Sequence, residues 1–237
     1  VKYLNAEEAW KFLPKKPGSQ LVAFREALNA RSIRHPNVVR ILDIQEDEAH
    51  FIIRMDLVQG RDLHRIVRED GIFSPGKVCR LAMQIADALA AAHRAGVIHL
   101  DLKPSNLILR EETEQVMITD FGISATLGHG LFHIDPTSVA GTPFFMAPEQ
   151  LRAGEPDAPA LGPGVDIWAM GVTLYYLLSR RYPFSFPDND PRCILEEPPI
   201  PLPEHFPFIP DSLWAILERM LRRDPLERFA RMEDVAA

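Results

Sequence analysis

The apolar positions follow a strand-like pattern near the start of the chain and a helix-like pattern after it. Two β-rich runs, residues 38–44 and 51–55, lie on either side of a polar turn at residues 45–48, which predicts a pair of strands. Residues 21–33 are predicted to form a helix that ends before Pro36, because proline disfavours the helical conformation in the residue before it. We therefore expect a short strand, a helix and a strand within the first forty residues.

Helical patterning dominates after Gly60. Ser74 followed by Pro75 is typical of a helix start, since serine caps the first turn and proline suits the first helical position. An apolar stripe continues from there and predicts a core helix of about twenty residues. The stripe consists of Val78, Leu81, Ile85, Leu89 and Ala92. Cys79 is expected on the apolar side of this helix, as a small core residue.

Two more strands and two more helices complete the predicted layout. The strands are residues 107–109 and 116–119, and the apolar helices are residues 165–179 and 212–221. The proline-rich residues 182–210 contain aromatic residues and are expected to form a packed connector. Strands that come first and helices that come after indicate an α+β fold, with a small β-rich lobe joined to a larger, mainly helical lobe.

Charge and composition exclude several classes of protein. The formal net charge is −7 over 237 residues, which leaves no basic stripe for a nucleic-acid partner. The longest apolar run, residues 167–178, is shorter than the roughly 18 residues of a membrane span. Cys79 and Cys193 are too few for a disulfide scaffold, and the chain does not open with a signal peptide. These observations favour a soluble, cytoplasmic protein.

Polar groups suited to phosphoryl transfer are concentrated in the sequence His-Leu-Asp-Leu-Lys-Pro-Ser-Asn. It places Asp101, Lys103 and Asn106 within six positions. Phosphoryl transfer from a nucleotide needs a base at the attacking hydroxyl, a cation at the moving phosphate and oxygen ligands for magnesium. Asp120-Phe121-Gly122 and Ala147-Pro148-Glu149 follow in order. Together the three motifs resemble the signature set of the protein kinase family.

The resemblance extends from about residue 9 to residue 228. It implies a two-lobed protein kinase-like fold that binds ATP and Mg²⁺. The small lobe would comprise residues 1–55, the hinge residues 56–60, and the helical lobe residues 61–237. The helical lobe would contain the catalytic loop and the activation segment.

Four residues match the catalytic positions of the family. Asp101 matches the catalytic aspartate, which accepts or orients the proton of the substrate hydroxyl. Lys103 would face the same phosphate group as Asp101. Asn106 and Asp120 match the two magnesium ligands, with Asp120 as the main one. A carboxylate suits the position of Asp101 because phosphoryl transfer depends on positioning more than on strong basicity.

A lysine of the small lobe is expected to hold the nucleotide phosphates. Ala9-Trp10-Lys11 resembles the Ala-x-Lys of the family's third strand, and Glu26 resembles the helix residue that pairs with that lysine. The gap between Lys11 and Glu26 is somewhat short for the family. Lys2 is an alternative, because it could end a strand of the same type. The preceding alanine and the spacing favour Lys11.

The resemblance assigns five further positions to the nucleotide. Asp56 opens the hinge, and the backbone of Val58 would bind the edge of the adenine. Asp62 could reach the ribose. Ala9 and Ile108 would lie on opposite faces of the base.

Other matched residues are expected to support the site without taking part in the reaction. His99 would pack beneath Phe121 in a buried column and would not act as a base. Asp166 would accept amide hydrogens from the catalytic loop. Glu149 and Arg228 would form a buried ion pair.

The substrate class follows from two positions. Lys103, two residues after the catalytic aspartate, and Thr142, before Ala147-Pro148-Glu149, are typical of serine/threonine kinases. The resemblance therefore implies protein substrates with serine or threonine, and it is greatest to bacterial eukaryotic-like kinases. The sequence gives no indication of oligomeric state.

Two departures from the family leave alternatives open. No glycine-rich loop precedes Ala9, so either the chain is a fragment or the enzyme has no such lid; a start inside a strand favours a fragment. Leu100 replaces the arginine that pairs with an activation-segment phosphate in kinases switched by phosphorylation. The alternatives to an enzyme acting on proteins are a pseudokinase, which binds nucleotide or serves as a scaffold, and a kinase of small molecules.

Overall fold

The computed structural model describes residues 2–5, 7–15, 30–121 and 143–236. Its first part is an antiparallel sheet of four strands in the order β1–β2–β4–β3. The strands are β1 (Lys2–Asn5), β2 (Glu8–Pro14), β3 (Ile41–Glu46) and β4 (His50–Asp56). A strand is present on either side of the polar turn, as predicted, and β4 has nearly the predicted bounds. Of the helix predicted at residues 21–33, residues 30 and 31 are helical, and residues 16–29 lie outside the described residues.

Side chains alternate along β4, as the two-residue period of a strand requires. Phe51, Ile53 and Met55 are buried, whereas the residues between them are partly exposed. In the paired strand β2, Ala9 is opposite Met55 and Lys11 is opposite Ile53. Because residues two apart share a face, the amine of Lys11 extends from the face of the sheet that carries this apolar cluster.

The strand predicted at residues 38–44 begins only at Ile41. Val38 instead forms a single parallel bridge with Ile118. The amide of Val39 donates to the carbonyl of Ile118 (2.9 Å), and the amide of Ile118 donates to the carbonyl of Asn37 (2.8 Å). The backbone groups of this segment are therefore satisfied by the second part of the molecule, which prevents them from extending β3.

The second sheet has three antiparallel strands in the order β5–β6–β7. They are β5 (Arg61–Asp62), β6 (Leu107–Arg110) and β7 (Gln115–Ile118). The two short strands predicted at residues 107–109 and 116–119 are confirmed to within one residue at each end. Between β4 and β5, residues 57–60 form neither helix nor strand.

The first long helix starts as the sequence predicts. Helix α1 (Leu63–Asp70) precedes α2 (Pro75–Arg94), and the Ser74 hydroxyl accepts the amide hydrogen of Lys77 (3.4 Å). The prediction for Cys79 was wrong, because its side chain is exposed. Cys79 is four residues before the exposed Met83, and residues spaced by four share one face of a helix.

The rest of the helical lobe is built around one fully buried helix. The helices are α3 (Pro148–Leu151), α4 (Gly164–Ser179), α5 (Leu202–His205) and α6 (Asp211–Met220). Every residue of α4 from Val165 to Ser179 is buried. The proline-rich connector is packed as predicted, with Phe184, Ile194 and Ile209 buried. Within the described ranges, no helix is both long and apolar enough to cross a membrane.

Candidate active site

The loop that carries Asp101 contains a residue in an unusual conformation. Leu100 has a φ of 63°, in the left-handed region that residues other than glycine rarely adopt. The buried carboxylate of Asp166 accepts the amide hydrogens of His99 (2.8 Å) and Leu100 (3.0 Å). Such strained conformations persist only where the surroundings hold them, and the start of α4 provides that support here. The predicted contact of Asp166 is confirmed.

Asp101, Lys103 and Asn106 lie together. The amine of Lys103 is 2.9 Å from both carboxylate oxygens of Asp101. The amide nitrogen of Asn106 donates to the backbone carbonyl of Asp101 (2.8 Å) and to its carboxylate (3.1 Å). A short 3-10 helix, Pro104–Asn106, produces this arrangement by turning the chain back towards Asp101. One cation and one amide therefore fix the carboxylate.

Asp120 is close to this cluster and also to the small lobe. Strand β7 ends two residues before it, and the amide of Thr119 donates to the backbone carbonyl of Asn106 (3.0 Å). The φ of Asp120 is 64°. Its carboxylate oxygen is 2.8 Å from the amine of Lys11. The two lobes therefore meet at a carboxylate that is paired with a lysine.

His99 is held as a structural residue. Its ring packs on Phe121 with centroids 4.6 Å apart. Nδ1 accepts the amide hydrogen of Asp101 (3.3 Å), and Nε2 is 2.9 Å from the carbonyl oxygen of Thr119. Because a carbonyl oxygen can only accept, Nε2 carries the proton. Both ring nitrogens are used, so the prediction that His99 is not the base agrees with its contacts.

The residues expected around the nucleotide base form one apolar group. Ala9 and Val58 are buried in a cluster against which Ile108 packs. Asp62 accepts the amide hydrogen of Arg65 (2.8 Å) as the cap of α1. Asp56 forms an exposed ion pair with Arg40 at 3.2 Å.

Three residues that the sequence analysis singled out lie outside the described residues: Glu26, Gly122 and Thr142. Lys2 lies in β1 and pairs with Trp10 of β2 through the backbone.

Comparison with known proteins identifies the family. A model described as "Protein kinase domain" matches residues 4–236. The chain belongs to the protein kinase family. The serine/threonine-protein kinase PkaA of Streptomyces coelicolor is 38% identical over 198 residues, which cover 83% of this chain and 35% of PkaA. The match to a bacterial kinase confirms the resemblance stated from the motifs.

The similarity extends to eukaryotic kinases. Human calcium/calmodulin-dependent protein kinase type 1B is 32% identical over 228 residues, covering 93% of this chain and 64% of that protein. A crystal structure of Rad53 1–466 in complex with AMP-PNP matches with a TM-score of 0.78 and 25% identity, covering 97% of this chain and 56% of that one. The kinase domain therefore has the expected fold, and it spans about a third of the length of PkaA, at 35%.

The kinase domain supplies donors that suit Mg²⁺. Asp120 offers a carboxylate, and Asn106 offers an amide oxygen because its nitrogen is engaged by Asp101. Among the described residues, no group of three or more histidine, cysteine, aspartate or glutamate side chains is placed to hold a metal. Mg²⁺ typically takes one or two protein ligands and completes its shell with phosphates and water. The donor set therefore fits Mg²⁺ bound together with a nucleotide.

Three contacts within the helical lobe support the site. The predicted Glu149–Arg228 pair is confirmed, with oxygen and nitrogen 2.6 Å apart and both side chains buried. His93, at the end of α2, was not predicted to contribute, yet its Nε2 is 2.7 Å from the Asp166 carboxylate. Gln150 was also missed, and its side chain contacts the backbone of Leu100 (3.0 Å). Both contacts join residues at least fifty positions apart, so no local pattern indicates them.

Proposed function

We propose that this kinase domain catalyses the transfer of the γ-phosphoryl group of ATP to serine or threonine hydroxyls of protein substrates. The observation that carries this proposal is a set of contacts that gathers these residues: Lys11 pairs with Asp120, the amide of the adjacent Thr119 bonds the backbone of Asn106, and Asn106 and Lys103 both bond Asp101. It brings a base, two cations and two metal donors to one place, as phosphoryl transfer requires.

The roles of the residues follow from their chemistry. Asp101 orients the substrate hydroxyl and accepts its proton as the oxygen attacks the γ-phosphorus and the bond to the ADP oxygen breaks. Lys103, already 2.9 Å from the Asp101 carboxylate, balances negative charge beside it. Mg²⁺ would supply positive charge at the phosphates, held by Asp120 and Asn106. Because the transition state is loose, positioning and charge account for most of the catalysis.

The small lobe would hold the nucleotide. The amine of Lys11, now 2.8 Å from Asp120, would bind the phosphates while Asp120 turns to the metal. We propose that Glu26 supports Lys11, that Ala9 and Ile108 enclose the base, and that Val58 in the hinge binds its edge. Asp62 would contact the ribose through the carboxylate oxygen that does not cap α1.

The serine/threonine specificity rests on two findings. Lys103 and Asp101 are in direct contact, and this lysine is the residue that the serine/threonine pattern places there. PkaA is a serine/threonine-protein kinase by name. We therefore expect phosphate on serine and threonine, and predominant phosphotyrosine would contradict the proposal.

The test uses the full-length protein with ATP, Mg²⁺ and a generic protein substrate. Wild-type protein should incorporate phosphate, and Asp101→Asn should lower turnover by several orders of magnitude, from a family range of roughly 1–100 per second. Nucleotide affinity, measured with a fluorescent ATP analogue, should stay within about twofold because Asp101 acts on the hydroxyl. The exposed Asp157→Asn is a matched control. Nucleotide binding without transfer in the wild-type protein would favour the pseudokinase alternative.

A further inference from the structure

Gln150 connects two parts of the helical lobe that are far apart in sequence. It lies in α3 with 2% of its surface exposed. Its side-chain oxygen accepts the amide hydrogen of Ala147 (2.9 Å), and its side-chain nitrogen donates to the carbonyl oxygen of Leu100 (3.0 Å). A backbone amide can only donate and a carbonyl can only accept. The orientation of the Gln150 amide is therefore fixed by its partners.

The partner of Gln150 is the strained residue directly before Asp101. Leu100 has a φ of 63°. Its amide hydrogen is accepted by Asp166, which is fully buried, and its carbonyl accepts from Gln150. The buried side chains of Asp166 and Gln150 therefore fix the backbone amide and the backbone carbonyl of Leu100. The carbonyl belongs to the peptide that joins Leu100 to Asp101, so its orientation helps to set the direction in which Asp101 leaves the backbone.

We propose that Gln150 is a positioning residue for Asp101, which it serves by fixing the Leu100–Asp101 peptide; this inference rests on the proposed function of Asp101. Through Gln150, the segment that ends the Ala-Pro-Glu motif is connected to the catalytic loop by hydrogen bonds to backbone groups. The connection needs no charge at position 100. The leucine there packs against an apolar cluster that includes Phe145 and Ala147.

Helix capping explains only half of these contacts. Gln150 is the third residue of α3, and a glutamine at this position commonly accepts the amide hydrogen of the capping residue, here Ala147. That bond needs only the side-chain oxygen. The bond from the nitrogen to Leu100, fifty residues earlier in the chain, has no role in capping. The bond to Leu100 is therefore the one that bears on the position of Asp101.

The first test compares Gln150→Leu with the wild type in full-length protein. Leucine is similar in size and makes neither hydrogen bond. We expect kcat to fall about 10- to 100-fold, because small displacements of catalytic groups have effects of this order. The KM for ATP should change less than about twofold, since the nucleotide-binding residues are untouched. An unchanged kcat in a folded Gln150→Leu protein would overturn the inference.

Ser179→Ala is the matched control for lost stability. Ser179 is also buried, and its hydroxyl bonds the carbonyl of Tyr175 (2.8 Å) and accepts from the amide of Arg181 (3.0 Å). It lies thirteen residues along α4 from Asp166, about 20 Å at the rise of a helix. We expect Ser179→Ala to lower the thermal midpoint and to keep kcat. An equal loss of kcat in both variants at matched stability would also contradict the inference.

A second variant tests the hydrogen bond itself. In Gln150→Glu the ionised side chain still accepts from Ala147 but cannot donate to Leu100, whereas the protonated acid can donate. Burial raises the pKa of a carboxyl group. We therefore expect the kcat of Gln150→Glu, divided by that of wild type at the same pH, to rise severalfold as the pH falls from about 8 to 6. A ratio that stays flat or falls would overturn the inference.

The charged groups near position 150 are the same in wild type and in Gln150→Glu, so their titration affects both kcat values in the ratio. They are the ion pair of Glu149 with Arg228, the Asp166 carboxylate, and Asp101 with Lys103.

Asp101→Asn separates the two proposals. If it leaves turnover intact, the proposed function fails; if it abolishes turnover while Gln150→Leu does not alter it, only the positioning role fails.

Discussion

The boundary between the two lobes and the interior of the helical lobe each contain an ion pair, and the two pairs differ in almost every physical respect. Lys11 and Asp120 at the boundary are 2.8 Å apart, with side chains 16% and 24% exposed. Glu149 and Arg228 are 2.6 Å apart, with side chains 2% and 0% exposed. Water and ligands can reach the first pair, whereas the second is enclosed by protein.

The buried pair is saturated with hydrogen bonds. The guanidinium of Arg228 donates to both oxygens of Glu149 and to the carbonyls of Gly164, Arg222 and Arg223. It also lies over the ring of Trp168, 5.1 Å from the centroid. A buried charge is tolerated when its donors are satisfied in this way. A partly exposed pair leaves its members accessible to other partners, as the roles proposed for Lys11 and Asp120 require, whereas a pair with every donor engaged is suited to structure.

Asp120→Asn should separate activity from stability most clearly. The amide is a weaker metal ligand than the carboxylate, so we expect phosphate transfer to fall by at least about a thousandfold. The free energy of unfolding should change by less than about 1 kcal/mol, because the pair is partly exposed and screened by water. Radiolabelled phosphate incorporation and urea unfolding measure the two quantities. Transfer at the wild-type rate would refute the assignment of Asp120.

Arg228→Met should have the opposite effect. It leaves Glu149 buried without a partner, and we expect unfolding to become easier by about 3–5 kcal/mol. Urea denaturation followed by circular dichroism measures this loss. The double variant Glu149→Leu/Arg228→Met should recover part of it, since no charge remains buried. Arg231→Met, which breaks an exposed pair with Asp234, should leave the midpoint unchanged. A small effect of Arg228→Met would mean that water reaches Glu149.

Several elements of the fold and of the candidate site could be predicted from the sequence. The cap at Ser74 and the period of the apolar stripe predicted α2, because both signals are local and are not overridden by packing. The residues of the Asp101 motif come together because they are close in sequence and a short turn unites them. The Glu149–Arg228 pair was predicted from the family resemblance alone, since 79 residues separate its members.

The parts that sequence could not supply depend on distant contacts. Cys79 follows the buried Val78 by one position, yet one step rotates a helix by about 100°, enough to place it on the exposed face. Val38 looks like part of a strand but forms a parallel bridge with Ile118, eighty residues later, through hydrogen bonds of its neighbours Asn37 and Val39. Gln150 is a plain helix-start residue in sequence, and only the folded chain brings its amide to Leu100.

Gly171→Ala should extend the comparison to packing, with a smaller effect. Gly171 lies in α4, and an added Cβ would be 3.0 Å from the Cβ of Met220 in α6. That atom cannot move without its helix, so we expect a loss of about 1–2 kcal/mol in urea unfolding, after allowing for the better helix propensity of alanine. Gly164→Ala is the control, since its nearest neighbour would be at 3.4 Å. If Gly171→Ala were as stable as Gly164→Ala, α4 and α6 would have to be able to separate slightly.

Glu111→Gln should have the smallest effect, because it alters a third kind of ion cluster that is largely exposed. Arg61 is 2.7 Å from Glu111 and 2.6 Å from Asp70. Hydrogen bonds from Arg61 hold the pKa of the Glu111 carboxyl below its ordinary value of 4.5. Because the pKa is lower in the folded state, the ionised Glu111 carboxylate stabilises the protein fully at pH values above the ordinary pKa. This stabilisation is lost as the pH falls through the folded-state pKa.

The expected result is therefore a small fall in the urea midpoint of Glu111→Gln at pH 7 and low salt, detectable only by direct comparison with wild type. The difference should disappear at about 1 M salt, where the screening length is near 3 Å, and again once the pH is below the folded-state pKa of Glu111. Glu112→Gln, one residue outside the cluster, is the control. A difference that persists in acid or in high salt would show that Glu111 contributes through packing and not through its charge. In that case the cluster would resemble the buried Glu149–Arg228 pair more than the exposed ion pairs of the surface.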